Sequence, residues 1–216
     1  MKIVIAGGHG KIALLLEKLL ADAGHTPVGI IRNPAHSADV LAAGASPMLL
    51  DLESTVAATL ADSLSGVDAV VFAAGGGSDG NAARKLSVDR DGAIMLADAA
   101  ELAGVPRVVI VSAMATDEFD ANSDDVFQIY LRAKSEADAN IRARDIDWTI
   151  VRPGGLTDDE PTGTVEAGKS ASRGSIPRAD VAAVLAAVLT ENLAVRKQFE
   201  VVSGETPITQ ALSSLA

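Results

Sequence analysis

Short apolar runs alternate along the chain with longer stretches in which apolar residues recur every three or four positions. Apolar runs rich in β-branched residues are typical of buried parallel strands, and the wider spacing is typical of helices. The predicted strands are Lys2–Ala6, Pro27–Ile31, Met48–Leu50, Ala69–Ala73, Arg107–Ser112, Trp148–Val151 and Gln198–Val202. The predicted helices are Lys11–Ala23, Ser37–Ala42, Thr55–Leu64, Ala82–Ala103, Asp125–Arg144 and Arg178–Thr190. Because parallel strands need helix-length crossovers, this order predicts an α/β protein: a doubly wound parallel sheet of about seven strands with helices on both faces.

A glycine-rich turn separates the first predicted strand from the first predicted helix. Gly8–Ala13 fits the dinucleotide-binding pattern G-x-G-x-x-G/A, and the register that starts at Gly7 fits equally well. A helix that begins after such a turn presents free N–H groups and the positive end of its dipole, which suits a pyrophosphate. The turn therefore predicts a Rossmann fold whose dinucleotide site includes Gly7, Gly8, His9, Gly10, Lys11 and Ile12. The histidine within the turn either meets the phosphates or only fills space.

The composition agrees with a single domain. The chain has 216 residues, of which 48% are apolar and 3% aromatic, so we expect one domain over residues 1–216 with an aliphatic core. A small substrate-side portion is expected over about residues 153–216. Arg152–Ser175 has the composition of a long loop and follows the sixth predicted strand, at the sheet edge where such folds bind ligands.

Charge and cysteine content exclude several classes of function. The formal net charge of −11 disfavours nucleic acid and membrane surfaces as partners. The chain has no cysteine, which excludes disulfides and thiolate zinc sites, and no metal site is predicted. The sequence shows neither a charged leader nor an apolar run of membrane-spanning length. We therefore expect a cytoplasmic protein, a monomer or weak homo-oligomer, that acts on a small-molecule substrate.

The second predicted strand ends in a basic residue. Arg32 and Asn33 stand where NAD-binding proteins commonly carry an acid for the ribose 2′-hydroxyl, and an arginine there accommodates the 2′-phosphate of NADP. Arg32 therefore favours NADP over NAD, although a solvated arginine at a strand end is the structural alternative. Asp51 and Leu52 follow the third predicted strand, where they could flank the adenine. Asp51 could equally be a helix N-cap or an acid in a loop.

Small residues follow two further predicted strands. Because these segments lack bulky side chains, their backbone can approach a cofactor closely. For the segment after the sixth strand, the alternative is a turn with no role in binding, since Pro-Gly favours a turn in any case. We assign to the cofactor site Ala73, Ala74 and Gly75 after the fourth strand and Pro153, Gly154, Gly155 and Leu156 after the sixth.

An ordered set of motifs runs along nearly the whole chain. It comprises Gly7–Ala13, Arg32–Pro34, Asp51–Leu52, Val88–Asp89 with the helix Gly92–Ala103, Val109–Ser112, Tyr130–Lys134, Trp148–Gly154 and Arg178–Ala182. In these motifs the chain resembles the atypical short-chain dehydrogenases/reductases of the NAD(P)-binding, NmrA-like and biliverdin-reductase-B-like kind. The set is specific for the superfamily and much less so for the reaction.

A tyrosine and a lysine mark the candidate chemistry. Tyr130, the only tyrosine, and Lys134 stand four residues apart in a predicted helix and so share one face. A neighbouring ammonium favours the phenolate, so we expect a lowered pKa for Tyr130, suited to proton exchange with a carbonyl or alcohol oxygen. The resemblance implies Tyr130 as acid/base, Lys134 as a ligand of the nicotinamide ribose, and Ser112 as the residue that steadies the substrate oxygen. A tyrosine that only packs within its helix is the alternative.

The sequence leaves three functions open. The first is an NADP-dependent oxidoreductase that transfers hydride to a small carbonyl, quinone or flavin-like acceptor. The second, implied by the NmrA-like members, is a non-catalytic NADP-binding sensor or regulator. The third is a sugar-nucleotide epimerase or dehydratase, which is disfavoured because only about 60 residues follow the sixth predicted strand.

Overall fold

The computed structural model describes residues 1–77 and 80–215. Its strands are β1 (Lys2–Ala6), β2 (Thr26–Ile31), β3 (Ser46–Leu49), β4 (Ala69–Phe72), β5 (Arg107–Val111), β6 (Asp147–Pro153), β7 (Gly155–Thr157), β8 (Thr164–Gly168), β9 (Ser175–Pro177), β10 (Lys197–Ser203) and β11 (Thr206–Pro207). Nine strands form one sheet in the order β11-β8-β10-β6-β5-β4-β1-β2-β3, while β7 pairs with β9. From β3 to β10 every neighbouring pair is parallel, and β8 pairs antiparallel with both β10 and β11.

The predicted doubly wound α/β fold is confirmed. Both ends of each predicted strand lie within two residues of the ends of an observed strand. The expected number of about seven strands is wrong, because β8 and β11 extend the sheet to nine. Arg152–Ser175 is not a plain loop either, since it contains β7 and β8. Both strands are too short and too polar to show a strand pattern; β8 forms because β10 offers an edge for pairing, and β7 forms by pairing with β9.

The helices are α1 (Lys11–Asp22), α2 (Ser37–Ala42), α3 (Ala57–Asp62), α4 (Ala82–Arg84), α5 (Ala93–Ala103), α6 (Val126–Arg142), α7 (Arg178–Thr190) and α8 (Ile208–Ser213). The continuous helix predicted over 82–103 is wrong, because a π-helical segment, Lys85–Gly92, separates α4 from α5. Its side chains Lys85, Val88 and Asp89 are all buried. π-helical turns are rare and occur frequently at functional sites.

Two aliphatic clusters cover the faces of the sheet. Alternate residues of β1 contribute to opposite clusters, Ile3 and Ile5 to one and Val4 and Ala6 to the other. Helices α1, α7 and α8 pack on the first face, and α3, α5 and α6 on the second. This packing fixes the carboxyl ends of the parallel strands along one edge, where the predicted site residues lie. In the part of the chain that the structure describes, no helix has both the length and the apolar character needed to cross a membrane.

Candidate cofactor and active site

The turn between β1 and α1 has a shape that requires glycine. Gly7 has φ +84°, and a Cβ there would lie 2.6 Å from the Cα of Ala74. A Cβ at Gly8 would lie 2.5 Å from the Cα of Gly29 on β2. Gly10 precedes α1 without a side-chain cap, and the first turn of α1 carries no acidic residue. The first N–H groups of α1 therefore remain free for an anion, which fits the pyrophosphate of a dinucleotide.

A first cavity of about 450 Å³ lies beside this turn, at the carboxyl ends of β1, β2, β3 and β4. The predicted cofactor residues that line it are Gly7, His9, Gly10, Arg32, Asp51, Leu52, Ala73, Ala74 and Gly75. Asp51 does not cap α3, whose N-cap is Val56, so the N-cap alternative is wrong, whereas Asp51 does lie in the loop after β3. Instead its carboxylate accepts a hydrogen bond from the N–H of Glu53 at 3.0 Å and shapes the cavity wall.

Four predicted cofactor residues support this cavity without lining it. The N–H of Gly8 donates to a β2 carbonyl at 2.9 Å, which ties the turn to the sheet. The Lys11 ammonium lies 2.6 Å from a carboxylate oxygen of Asp158, in the segment after β7. The Asn33 carboxamide caps the short helical turn after β2, and Ile12 packs against the core. Contact of these residues with a cofactor stays a prediction.

Glu53 is a cavity residue that sequence reasoning missed. Its Oε2 lies 3.3 Å from Arg32 Nη1 and 3.3 Å from Arg84 Nη2, and its Oε1 accepts a hydrogen bond from Ser87 at 2.7 Å. The carboxylate therefore connects the end of β2 to the helical region after β4. No local pattern indicates this role, because the partners lie 21 to 34 residues away in the chain.

Two histidines stack at the rim of the same cavity. The ring centroids of His9 and His36 lie 3.6 Å apart. His9 Nε2 lies 2.7 Å from a carboxylate oxygen of Asp39 on α2, and His36 contacts the Asn33 carboxamide at 3.4 Å. His9 thus joins the glycine turn to the segment after β2, whereas its contact with phosphates stays a prediction.

A second cavity, of about 390 Å³, lies beyond the ends of β5 and β6. It brings together two predicted catalytic residues and one predicted cofactor segment, namely Ser112, Tyr130 and Pro153, Gly154, Gly155 and Leu156. The remaining lining is mostly apolar or small, with Ala113, Met114, Ala115, Phe127, Leu131, Arg173 and Gly174. A third cavity shares Gly77 with the first and both Phe127 and Tyr130 with the second, so the three lie side by side along the sheet edge.

Ser112 belongs to a buried chain of polar contacts. Its hydroxyl donates to Asp138 Oδ2 at 2.7 Å, and the same oxygen accepts a hydrogen bond from Arg152 Nε at 2.8 Å. Arg152 also makes a bidentate contact with Asp117, at 2.7 and 3.1 Å. Burial raises the pKa of Asp138, while Arg152 and the Ser112 hydrogen bond oppose that rise. The arginine therefore fixes Asp138, and Asp138 fixes the direction of the Ser112 hydroxyl.

Sequence reasoning missed Asp138, although its position carries a signal. Tyr130, Lys134 and Asp138 recur every four residues along α6, so the helix presents all three on one face. The spacing alone does not distinguish a buried carboxylate from an exposed one, and only the packing of α6 shows that Asp138 is fully buried.

The environment of Tyr130 corrects the expected lowered pKa. Burial raises the pKa of this phenol above its ordinary value, Lys134 lowers it, and Asp89 and Asp138 raise it further. Lys134 is itself buried and does not line the cavities described above. Its ammonium donates to the carbonyl of Val111 at 3.1 Å and lies 3.3 Å from Asp89. The phenol is therefore neutral at physiological pH, and contact of Lys134 with a nicotinamide ribose stays a prediction.

One glutamate holds two walls of the second cavity. Glu200 on β10 accepts hydrogen bonds from the N–H of Ala115 at 3.3 Å and of Ala171 at 3.0 Å. Ala115 has φ +60°, a left-handed conformation that disfavours residues other than glycine, so the contact with Glu200 helps to hold it. Beside this wall Arg173 pairs with Glu118 at 3.2 Å, at the mouth of the cavity.

Together, the glycine turn, the long cavity at the strand ends and the polar residues beside it define an NAD(P)-binding protein of the Rossmann type. A family model described as NAD(P)H-binding matches residues 7–192. The chain belongs to this NAD(P)H-binding family, as the resemblance to atypical short-chain dehydrogenases/reductases predicts.

Relatives and solved structures agree with this membership. The chain is 36% identical to the uncharacterised sugar epimerase YhfK of Bacillus subtilis, over 100% of both chains. A solved structure provisionally named as an NAD-dependent epimerase/dehydratase of Bacillus halodurans has 34% identity and a TM-score of 0.90, with 100% of both chains covered. The oxidoreductase ylbE of Lactococcus lactis has 26% identity and a TM-score of 0.86, covering 100% of this chain and 96% of that one.

Proposed function

We propose that the protein is an NADP-dependent oxidoreductase that transfers hydride to a small carbonyl, quinone or flavin-like acceptor. The observation that carries the proposal is that the first cavity, suited to a dinucleotide, lies beside the second cavity, which both Ser112 and Tyr130 line. The name of the Lactococcus lactis relative, an oxidoreductase, supports the same class of reaction.

The cationic side chains of the first cavity support NADP as the cofactor. Arg32 and Arg84 converge on Glu53 at the end of β2, where a ribose 2′-phosphate would lie. No acid occupies position 32 or 33 to bind a 2′-hydroxyl. An arginine binds phosphate through two parallel hydrogen bonds, so Arg32 can exchange its exposed contact with Glu53 for a stronger one.

The second cavity provides the groups that a carbonyl reduction needs. A reduced nicotinamide cofactor bound in the first cavity would supply the hydride for the carbonyl carbon and would be oxidised in return. The Tyr130 hydroxyl donates its proton to the carbonyl oxygen, and solvent reprotonates the phenolate. Ser112 lines the same cavity, and because its hydroxyl hydrogen is donated to Asp138, its oxygen is left to accept a hydrogen bond there. The mostly apolar lining suits a flat, weakly polar acceptor.

The experiment is a consumption assay with NADPH or NADH against quinones, flavins and small aldehydes. Replacement Tyr130→Phe is expected to lower turnover of the carbonyl substrates by about 100-fold or more while the affinity for NADPH stays nearly unchanged. Flavin reduction should survive, because a flavin accepts hydride with little need for that proton. Equal turnover of carbonyl substrates by both proteins would remove Tyr130 from the reaction.

An epimerase is the second candidate function, favoured by the names of the two Bacillus relatives. An epimerase returns the hydride to its own substrate, so it converts a sugar nucleotide without net oxidation of NADPH. Product analysis with sugar nucleotides therefore separates it from the reductase. A non-catalytic NADP sensor would bind NADPH and show neither reaction.

A further inference from the structure

Asp89 in the π-helical segment connects the two halves of the candidate site. Its side chain is 1% exposed, and Oδ1 lies 3.3 Å from the ammonium of Lys134. Oδ2 accepts a hydrogen bond from the N–H of Gly76 at 2.9 Å. Gly76 belongs to the segment after β4, and its neighbours Gly75 and Gly77 line the first cavity. One buried carboxylate thus contacts both the wall of the dinucleotide cavity and the lysine beside Tyr130.

The position of Lys134 depends on this carboxylate. The ammonium lies 5.4 Å from the ring centroid of Phe72 and 6.0 Å from that of Tyr130, and the lysine is 4% exposed. Its other polar contact is the carbonyl of Val111. A buried ammonium requires a negative partner, and Asp89 is the carboxylate within ion-pair distance among the described residues.

We propose that Asp89 is a positioning residue of the candidate active site: it fixes the Lys134 ammonium beside the Tyr130 ring and balances its charge. This rests on the proposed function, in which Tyr130 donates a proton to the acceptor oxygen. The π-helical segment makes the contact possible, because it buries Asp89 against α6.

The charges around Tyr130 come from two elements. Helix α6 contributes Lys134 and Asp138, and the π-helical segment contributes Asp89 and Lys85, whose ammonium lies 5.6 Å from the ring centroid. Asp89 raises the pKa of Tyr130 and Lys134 lowers it. Removal of Asp89 leaves the effect of Lys134 less opposed, and the phenol should then ionise at lower pH.

The test uses the fact that the chain contains a single tyrosine. The ultraviolet absorbance of the phenolate therefore reports Tyr130 alone as the pH is raised. Replacement Asp89→Asn is expected to lower the midpoint of this titration by about one pH unit. Asp91→Asn is the matched control, because Asp91 lies in the same segment but its side chain is 55% exposed and pairs with Arg90. The control should leave the midpoint unchanged.

A second pair of variants keeps the test valid if Asp89→Asn does not fold. Lys134→Met should raise the midpoint, because it removes the cation beside the phenol. The double variant Asp89→Asn/Lys134→Met contains no unpaired buried charge from this pair, and its midpoint should fall below that of Lys134→Met. Equal midpoints in these two variants would overturn the proposal, as would an unchanged midpoint in a folded Asp89→Asn protein.

Turnover gives an independent reading once an acceptor has been found. In Asp89→Asn the pH profile of kcat should move to lower pH, in the same direction as the absorbance midpoint, and rescue is expected from Asp89→Glu. An unmoved profile would overturn the proposal. If the wild-type protein turns over no acceptor, the proposed function fails, whereas the absorbance titration still decides the role of Asp89.

Discussion

Glu17 on α1 carries a fully buried carboxyl group beneath the glycine turn. Neither of its oxygens has a hydrogen-bond partner among the described residues. Gly8 and Gly29 make room for it, since a Cβ at Gly29 would lie 2.5 Å from Glu17 Oε1. Burial raises the pKa of Glu17 from 4.5 to about 8. The carboxyl group is therefore protonated in the folded protein at neutral pH and ionised in the unfolded chain.

This difference predicts a stability that falls as the pH rises. Below pH 4.5 both states bind the proton, and between 4.5 and about 8 only the folded state does. The free energy of unfolding should fall through this window by at most about 1.4 kcal/mol per pH unit. Glu17→Gln removes the ionisation, so urea titrations should show its stability rising relative to wild type from pH 5 to pH 8.

The exposed Glu160 offers a matched control for this measurement. The difference in unfolding free energy between Glu160→Gln and the wild-type protein should not change with pH. A Glu17→Gln difference that is also independent of pH would show that Glu17 ionises alike in both states.

Among single residues, those that follow strand ends were predictable and their partners were not. The sequence placed Arg32 and Ser112 because a strand pattern precedes each. Glu53 and Asp138 complete their contacts from distant segments, and their identity as buried or bridging carboxylates depends on packing. The predicted direction of the Tyr130 pKa shift was wrong for the same reason, because the effect of burial outweighs that of the neighbouring lysine.

At the scale of elements, the turn between β1 and α1 couples local backbone shape to the sheet. Gly7 and Gly24 both have a φ above +80°, so the backbone conformation at each position favours glycine. They differ in their surroundings, because a Cβ at Gly7 would lie 2.6 Å from the Cα of Ala74, whereas nothing lies within 4 Å of one at Gly24.

These two glycines form a matched pair for mutation. Gly24→Ala should cost about 1 kcal/mol of unfolding free energy from backbone strain alone. Gly7→Ala should cost clearly more, because backbone atoms of the turn or of the segment after β4 must move, and it should weaken NADPH binding. Urea denaturation and NADPH titration followed by Trp148 fluorescence measure both effects. Equal costs at the two positions would contradict the close packing of the turn.

The π-helical segment shows where prediction of elements reached its limit. The apolar spacing over 82–103 predicted one continuous helix, and both of its ends are correct. The wider turn within it buries Lys85 and Asp89, which a regular helical pattern would assign to solvent. These buried contacts with α6 and the segment after β4 are long-range, so the local sequence does not show them.

At the scale of the whole molecule, the first and second cavities bring distant parts of the chain together. Residues between the end of β1 and the π-helical segment line the first cavity, and residues between the end of β5 and the start of β9 line the second. A ligand that spans both cavities would bind the folded protein and not the unfolded chain, so it stabilises the fold by mass action.

Thermal unfolding should therefore report the cofactor preference. At about 100 times its Kd, NADPH should add about 2.7 kcal/mol, which raises the Tm by about 5–10 °C for a chain of this size. NADH at the same concentration should raise the Tm less, because it lacks the 2′-phosphate. Replacement Arg32→Ala should reduce the NADPH shift to that of NADH.

Arg142→Ala serves as the control for lost charge, since Arg142 is exposed at the end of α6. In the Arg142→Ala protein, NADPH should still raise the Tm more than NADH does. Equal Tm shifts with NADPH and NADH in the wild-type protein would contradict the proposed role of Arg32.

The sequence was sufficient to predict seven of the strands in their order along the chain, the glycine turn and the strand ends that line the candidate site. It could do so because apolar periodicity and glycine conformation are local properties. The nine-stranded sheet, the π-helical segment and the charge balance around Tyr130 became visible in the folded structure alone, because they depend on pairing, burial and ion pairs between distant residues. Glu17 and Asp89 show the difference most directly, because the packing around each carboxylate determines its ionisation and its partners.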